Sequence, residues 1–357
     1  MPITSLMSTL RGFGFVKQAS GGSLSTLVAS GSVFGVSLRS WSSGGFGTAH
    51  ANPAVMATNV TSVEFDETSS TLFAATSTSP YVHAYNISTS SGFGTKYANP
   101  GTLPTSTAYS IAYGPNGGFP AVYLSHSAIP YMSAYSWSSG FGTKFTNAVS
   151  SPGSASRVIT IGENSQLILG TTSSPYVAAY GGSVFSFGTR YPNPTTNPGS
   201  DVRGASFSPD GEYIVLAHTS YPYVSAYFFV GGFGAKTANP ALDSEVSGAG
   251  NGVAFHPAGT SVAITHTGQN ASLYPGITVY PWSYMGFGTK FSNPGGTNLS
   301  YRSLDFTQGG DSIALSSGTS PNVSAYRWTT VGFGTKHTNP LASADGEIGS
   351  TTIKFNM

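Results

Sequence analysis

A nine-residue phrase, Gly-Phe-Gly-Thr-Lys-x-x-Asn-Pro in its fullest form, occurs seven times in this 357-residue chain. Its copies centre on Phe46, Phe93, Phe141, Phe187, Phe233, Phe287 and Phe333. Successive copies lie 47, 48, 46, 46, 54 and 46 residues apart. A period in this range implies a repeat architecture, in which each unit buries its faces only against its neighbours.

The unit is built from strands. The chain contains 46 Gly and 22 Pro, and its apolar residues form short runs with no sustained helical spacing. The second repeat divides into four strand-like segments: Thr61–Phe65, Thr71–Ala75, Tyr81–Tyr85 and Gly92–Tyr97. Ser-, Gly- and Pro-rich turns separate them. Four strands in a unit of this length is the arithmetic of a β-propeller blade. The first segment ends in a spaced apolar pair: Val63/Phe65, Ile111/Tyr113, Ile159/Ile161, Ala205/Phe207, Val253/Phe255 and Leu304/Phe306. The third carries Pro-Tyr-Val-x-Ala-Tyr or a variant of it, as at Pro80–Tyr85 and Pro130–Tyr135.

The two chain ends have complementary deficits. Ile353 and Phe355 match Val63 and Phe65, yet no second, third or fourth strand follows them. At the other end, Ser25–Ala29, Val36–Trp41 and Gly45–His50 read as second, third and fourth strands with no first. The expected fold is therefore an all-β, seven-bladed β-propeller with four-stranded blades, closed when the C-terminal strand joins the N-terminal blade. That closure removes open sheet edges. The expected organisation is an N-terminal arm or leader over residues 1–20 and one propeller domain over 21–357.

Only 8% of residues are charged and the formal net charge is +1. No basic stripe is present, which argues against nucleic-acid binding. The absence of Cys removes disulfides, thiolate metal sites and Cys nucleophiles. Nothing approaches the apolar length of a membrane span. Residues 1–20 lack the apolar core of a secretory signal.

The segment Phe207-Ser208-Pro209-Asp210-Gly211 resembles the turn after the innermost strand of WD-repeat proteins. The tandem phrases at Gly92–Pro100, Gly286–Pro294 and Gly332–Pro340 alternate with Ser-Pro-Tyr-Val-x-Ala-Tyr. In this they resemble repeats of structural proteins in tailed bacteriophages. That resemblance implies a capsid- or tail-associated component of a virion, acting as a rigid docking disc for other virion proteins. The alternative is a multivalent carbohydrate-binding propeller whose partner is a host-surface glycan. Neither reading calls for a cofactor, a metal or catalysis. No Gly-x-Ser-x-Gly or His-Glu-x-x-His element is present, and no acidic pair recurs.

Several residues are candidates for contact. Tyr81, Tyr131, Tyr176 and Tyr223 occupy one end of the ring, where Tyr rings either bind a partner or pack between blades. The long interval in the sixth blade points to Asp243, Glu245, Gln269 and Asn270 as a partner-binding face. Lys96, Lys144, Arg190, Lys236, Lys290 and Lys336 repeat on the outer strand, where basic residues guard an edge or attract an anion. His126, His218 and His266 recur at the end of the second strand, a placement that suits a hydrogen bond to the neighbouring turn better than a metal site. Glu64, Asp305 and Lys354 stand between the paired apolar positions of three consecutive blades, and the spacing predicts a charge triad.

Overall fold

The computed structural model of the protein describes residues 26–116, 119–162, 165–183, 185–241, 248–267, 276–294, 299–340 and 350–356. The candidates Asp243, Glu245, Gln269 and Asn270, and the arm at 1–20, lie outside the described residues.

Seven antiparallel sheets of four strands follow one another around a ring. Six blades run in simple sequence order from the axis outward, and the remaining sheet takes the C-terminal strand Ser350–Phe355 as its innermost member. That strand pairs with Leu27–Ser32, in the register Val28↔Phe355, Ala29↔Lys354 and Ser30↔Ile353. The N-terminal blade is counted here as blade one. Its other strands are Val36–Ser42 and Gly45–Ala49.

Blade two shows why the repeat folds this way. Its inner strand, Val60–Phe65, buries Val63 and Phe65 between blades. The Asp66 carboxylate then accepts the backbone N–H groups of Ser70 and Thr71 at 2.8 and 2.9 Å, which fixes the first turn. The second strand, Thr71–Thr76, is buried throughout, because blades press on both of its faces. The third strand, Val82–Ser88, carries the fully buried Tyr85. The outer strand, Gly92–Lys96, is the wettest. It opens at Gly92, where φ is +73° and an added Cβ would collide with His50.

The repeated buried Tyr has a polar task. Its hydroxyl donates to a carbonyl of the connection leading into its own blade. The pairs are Tyr85 to Val55 at 3.0 Å, Tyr135 to Thr102 at 2.8 Å, Tyr180 to Ser150 at 2.7 Å and Tyr227 to Thr196 at 2.9 Å. Apolar packing joins each blade to the next. Phe73 of blade two, for example, meets Tyr113 and Trp137 of blade three at ring-centroid distances of 5.4 and 4.6 Å.

Each inner strand contains a bulge near its start. The residues at the break, in blades one to seven, are Thr351, Thr61, Tyr109, Arg157, Arg203, Asn251 (with Gly252) and Arg302. A bulge re-aims a side chain, and here it does so seven times around one axis.

Candidate functional site

Inner strands have a free edge toward the axis, and their N–H and C=O groups need partners. Side chains of the preceding blade supply them. Thr351 Oγ1 donates to Val60 O and Thr61 Oγ1 to Ala108 O, both at 2.7 Å. Asn251 Nδ2 donates to Tyr301 O at 2.9 Å. Deeper along the strands, Ile111 N–H donates to Ser62 Oγ at 3.3 Å and Phe355 N–H to Asp305 Oδ2 at 2.9 Å.

Four of the bulge residues depart from this capping pattern, Tyr109 and three arginines. Arg157 lies with its guanidinium 4.6 Å from the ring centre of Tyr109, a cation–π contact. Arg203 donates from Nε to Asp201 Oδ2 at 3.3 Å and from Nη1 to Asn251 Oδ1 at 3.4 Å. Arg302 is exposed and passes over Gly318, where a Cβ would lie 3.0 Å from its Nη2. The other oxygen of Asp201, Oδ1, is buried without a hydrogen-bond partner among the described residues. The reading of the sequence missed this ring. Counting back two residues from the first apolar residue of each inner-strand pair finds all seven positions.

Three residues deeper, the three predicted charges meet. Lys354 Nζ lies 3.4 Å from Glu64 Oε2 and 4.0 Å from Asp305 Oδ2. The side chains of Lys354, Glu64 and Asp305 are 32%, 16% and 17% exposed, so the cluster is largely withdrawn from water without being sealed. Burial pushes the Glu64 carboxyl above its ordinary range, and Lys354 offsets part of that rise. Burial would push the Lys354 ammonium down, but the two carboxylates outweigh it and hold the proton more tightly than usual. The same level in the other blades is filled by Ala112, Thr160, Ser206 and Ala254.

The remaining candidates have mainly structural surroundings. Tyr81, Tyr131, Tyr176 and Tyr223 sit half-buried in the turns between second and third strands, at φ of 65–68°. Tyr81 and Tyr176 pack against interblade cores. Each turn is closed by its own backbone, as when Thr76 N–H donates to Tyr81 O at 3.0 Å. The outer basic residues hold nearby polar groups: Lys96 Nζ reaches Asn99 Oδ1 at 2.6 Å, and Arg190 Nη1 reaches Ser151 O at 2.8 Å.

His126, His218 and His266 are buried at the second-strand ends. Their Nε2 atoms bond Ser133, Ser225 and Thr278 at 3.1, 3.0 and 2.8 Å. Among the described residues no group of three His, Asp or Glu side chains could hold a metal ion.

Comparison with known proteins adds a class of relatives to this geometry. No protein-family model matches the chain, and no curated protein matches it in sequence. Solved structures do match. A protein from Lactobacillus plantarum superposes with a TM-score of 0.72 at 14% identity, over 94% of this chain and 100% of its own. A candidate 6-phosphogluconolactonase from Bacteroides fragilis gives 0.68 at 12%, over 95% and 99%. The periplasmic gluconolactonase of Pseudomonas aeruginosa gives 0.65 at 12%, over 94% and 99%. Two of these three bear lactonase names.

These neighbours correct four expectations. The docking disc of a bacteriophage virion and its lectin-like alternative give way, because two of these matching propellers bear lactonase names and none of the three a virion or lectin name. The expectation of no enzymatic activity falls on the same finding. The virion localisation falls because the Pseudomonas neighbour is a periplasmic bacterial protein. The error has a physical source. The repeated phrase that carried the bacteriophage resemblance forms the outer strand and its turns, as Gly92 and Lys96 show. Such residues report how a blade is built, and a fold does not fix a function.

Proposed function

We propose that the protein is a lactonase-type hydrolase working on the ring axis, with Glu64, Lys354 and Asp305 as its polar centre. The observation that carries this reading is where the charge sits. Only 8% of the chain is charged, yet the inner strands hold Glu64, Arg157, Arg203, Arg302, Asp305 and Lys354. Packing alone does not require charges there, since Ala112, Thr160, Ser206 and Ala254 fill the same level in four blades. Partly buried charges are costly, and enzymes place such groups where they act.

The chemistry follows from the cluster. A lactone is a cyclic ester and is opened by water. The Glu64 carboxylate takes a proton as the water oxygen bonds to the ester carbon. The Lys354 ammonium faces the negative charge that develops on the carbonyl oxygen. The ring C–O bond then breaks, and the proton held by Glu64 passes to the departing oxygen, giving a hydroxy acid. Asp305, fixed by the Phe355 N–H, steadies Lys354 from the other side. The names of two neighbours support a lactone as the substrate; at 12% identity they carry the fold, and the chemistry rests on the cluster.

The test is hydrolysis of δ-gluconolactone, followed by proton release and compared with its spontaneous opening. Glu64→Gln should lower kcat by about 100-fold or more while the protein stays folded. A folded wild-type protein that gives no rate above background would overturn the reading.

A further inference from the structure

We infer that the cleft between blades two and three binds a small organic cation of the N-methylated ammonium class. The cleft does not include the Glu64 cluster, and the inference does not depend on the hydrolase reading.

The cleft takes in about 540 Å³ and is walled by Asp66 and Tyr97 of blade two, Tyr113, Phe119 and Trp137 of blade three, and Phe185 of blade four. That volume suits a small molecule. A break in the repeat shapes it. The residue paired with the Phe of the repeated phrase is large and apolar in six blades, Trp137 among them, but is Gly182 in blade four. With no side chain at Gly182, Phe185 lies against blade three, its ring 5.4 Å from that of Phe119 and 6.0 Å from that of Phe145. Phe119 and Phe185 are 50% and 44% exposed, so two rings of the wall stand open to water.

The rings form a corner and not a flat slot. Trp137 stands at 80° to Tyr97 and at 82° to Phe73, and Tyr113 lies within 16° of parallel to Phe73. Trp137 is therefore steep to both tyrosines. Aromatic walls of this kind attract a cation through the negative potential of the ring faces. The fixed charge has the matching sign. Asp66 Oδ1 accepts the N–H groups of Ser70 and Thr71, and Oδ2 accepts the hydroxyls of Thr68 and Ser70, all at 2.8–2.9 Å. Its acceptors serve the turn, so it reaches a ligand through its field. The exposed Glu67 adds a second negative charge beside it. Among the described residues no Lys or Arg lines the cleft. The Tyr113 hydroxyl responds to this field: burial first, then Glu67 and Asp66, push it up to about 12. A primary ammonium is strongly hydrated and has donors to satisfy, whereas an N-methylated one has none and suits aromatic walls.

The experiment is calorimetric titration of the full chain, at constant ionic strength, with choline, with its uncharged isostere carrying a tert-butyl group in place of the trimethylammonium, and with ethanolamine. Choline should bind, and the other two should bind about tenfold more weakly or less. Phe119→Ala with Phe185→Ala should weaken choline about tenfold, and because both rings are partly in water the core should hold, as thermal unfolding checks. Glu67→Gln should weaken choline about twofold or more and leave the isostere unaffected. An isostere that binds as tightly as choline would make this a plain apolar cleft and overturn the inference. Ethanolamine binding equal to choline would assign the affinity to the carboxylates alone and overturn it too. Choline binding unchanged in the double variant would place the site elsewhere, and no choline binding at about 10 mM would remove it.

Discussion

The side-chain oxygen of Asn356 accepts the backbone N–H of Leu27 at 2.8 Å, so the last described residue is clasped to the first strand of the ring. The same oxygen accepts Thr26 N–H, also at 2.8 Å. Asn356→Ala should strand two N–H groups, one of them buried, and cost about 1–3 kcal/mol. The check is the urea midpoint. Removing residues 350–357 goes further and bares a whole strand edge, so that variant should self-associate, as light scattering would show. A truncation that remains monomeric with an unchanged midpoint would contradict the closure.

Lys354 stands between two carboxylates and offsets the charge of one. Lys354→Met should leave Glu64 and Asp305 facing each other and lower stability by about 1–3 kcal/mol, below the value for a sealed pair because water reaches part of the cluster. Adding Glu64→Gln should restore part of the loss. A double variant no more stable than Lys354→Met would count against direct coupling.

His266 should make the ring acid-sensitive. Its Nδ1 lies 3.2 Å from the Gly248 carbonyl, which can only accept, so Nδ1 donates and Nε2 accepts from Thr278. That is a neutral ring, and burial lowers its pKa from 6.5 to about 4. Because the folded value is depressed, the stability it contributes is present above pH 6.5 and is lost as pH falls toward 4. His218 and His83, also lowered to about 4 mainly by burial, act in the same direction. Unfolding free energy should fall by roughly 2–3 kcal/mol per histidine between pH 7 and 4.5. His266→Gln should flatten that profile, and an unchanged slope would refute the assignment.

The buried tyrosines give an internal replicate. Tyr85→Phe, Tyr135→Phe, Tyr180→Phe and Tyr227→Phe each remove one hydrogen bond to a connection and should cost about 1 kcal/mol apiece. The sites lie in different blades, so the costs should add in the quadruple variant. A marked departure from the sum would show that the blades are coupled through these connections.

The fold was legible because the repeat writes its turns and its core into the sequence. The period placed Val63, Ile159 and Leu304 at one buried level, and it set Glu64, Asp305 and Lys354 in register although the chain ends separate them. The arginine ring was harder to read. A bulge residue breaks the two-residue alternation of a strand, so Arg157 and Arg302 look like solvated charges until the pairing with the second strand is known. Function was least legible, because Gly92, Tyr85 and Lys96 recur for reasons of backbone conformation, packing and edge protection.

The caps between inner strands all point one way. Thr351 serves Val60, Thr61 serves Ala108, Asn251 serves Tyr301, and Asp305 serves Phe355, each reaching forward to the following blade. The ring therefore has a sense of rotation in its dependencies as well as in its chain. A lesion in one inner strand deprives its successor of a partner and leaves its predecessor's bonds to be lost only with the backbone itself. Damage near the axis should spread in the direction of the chain, and hydrogen exchange at Phe355 N–H should report an injury to Asp305 sooner than any amide in the blade before it.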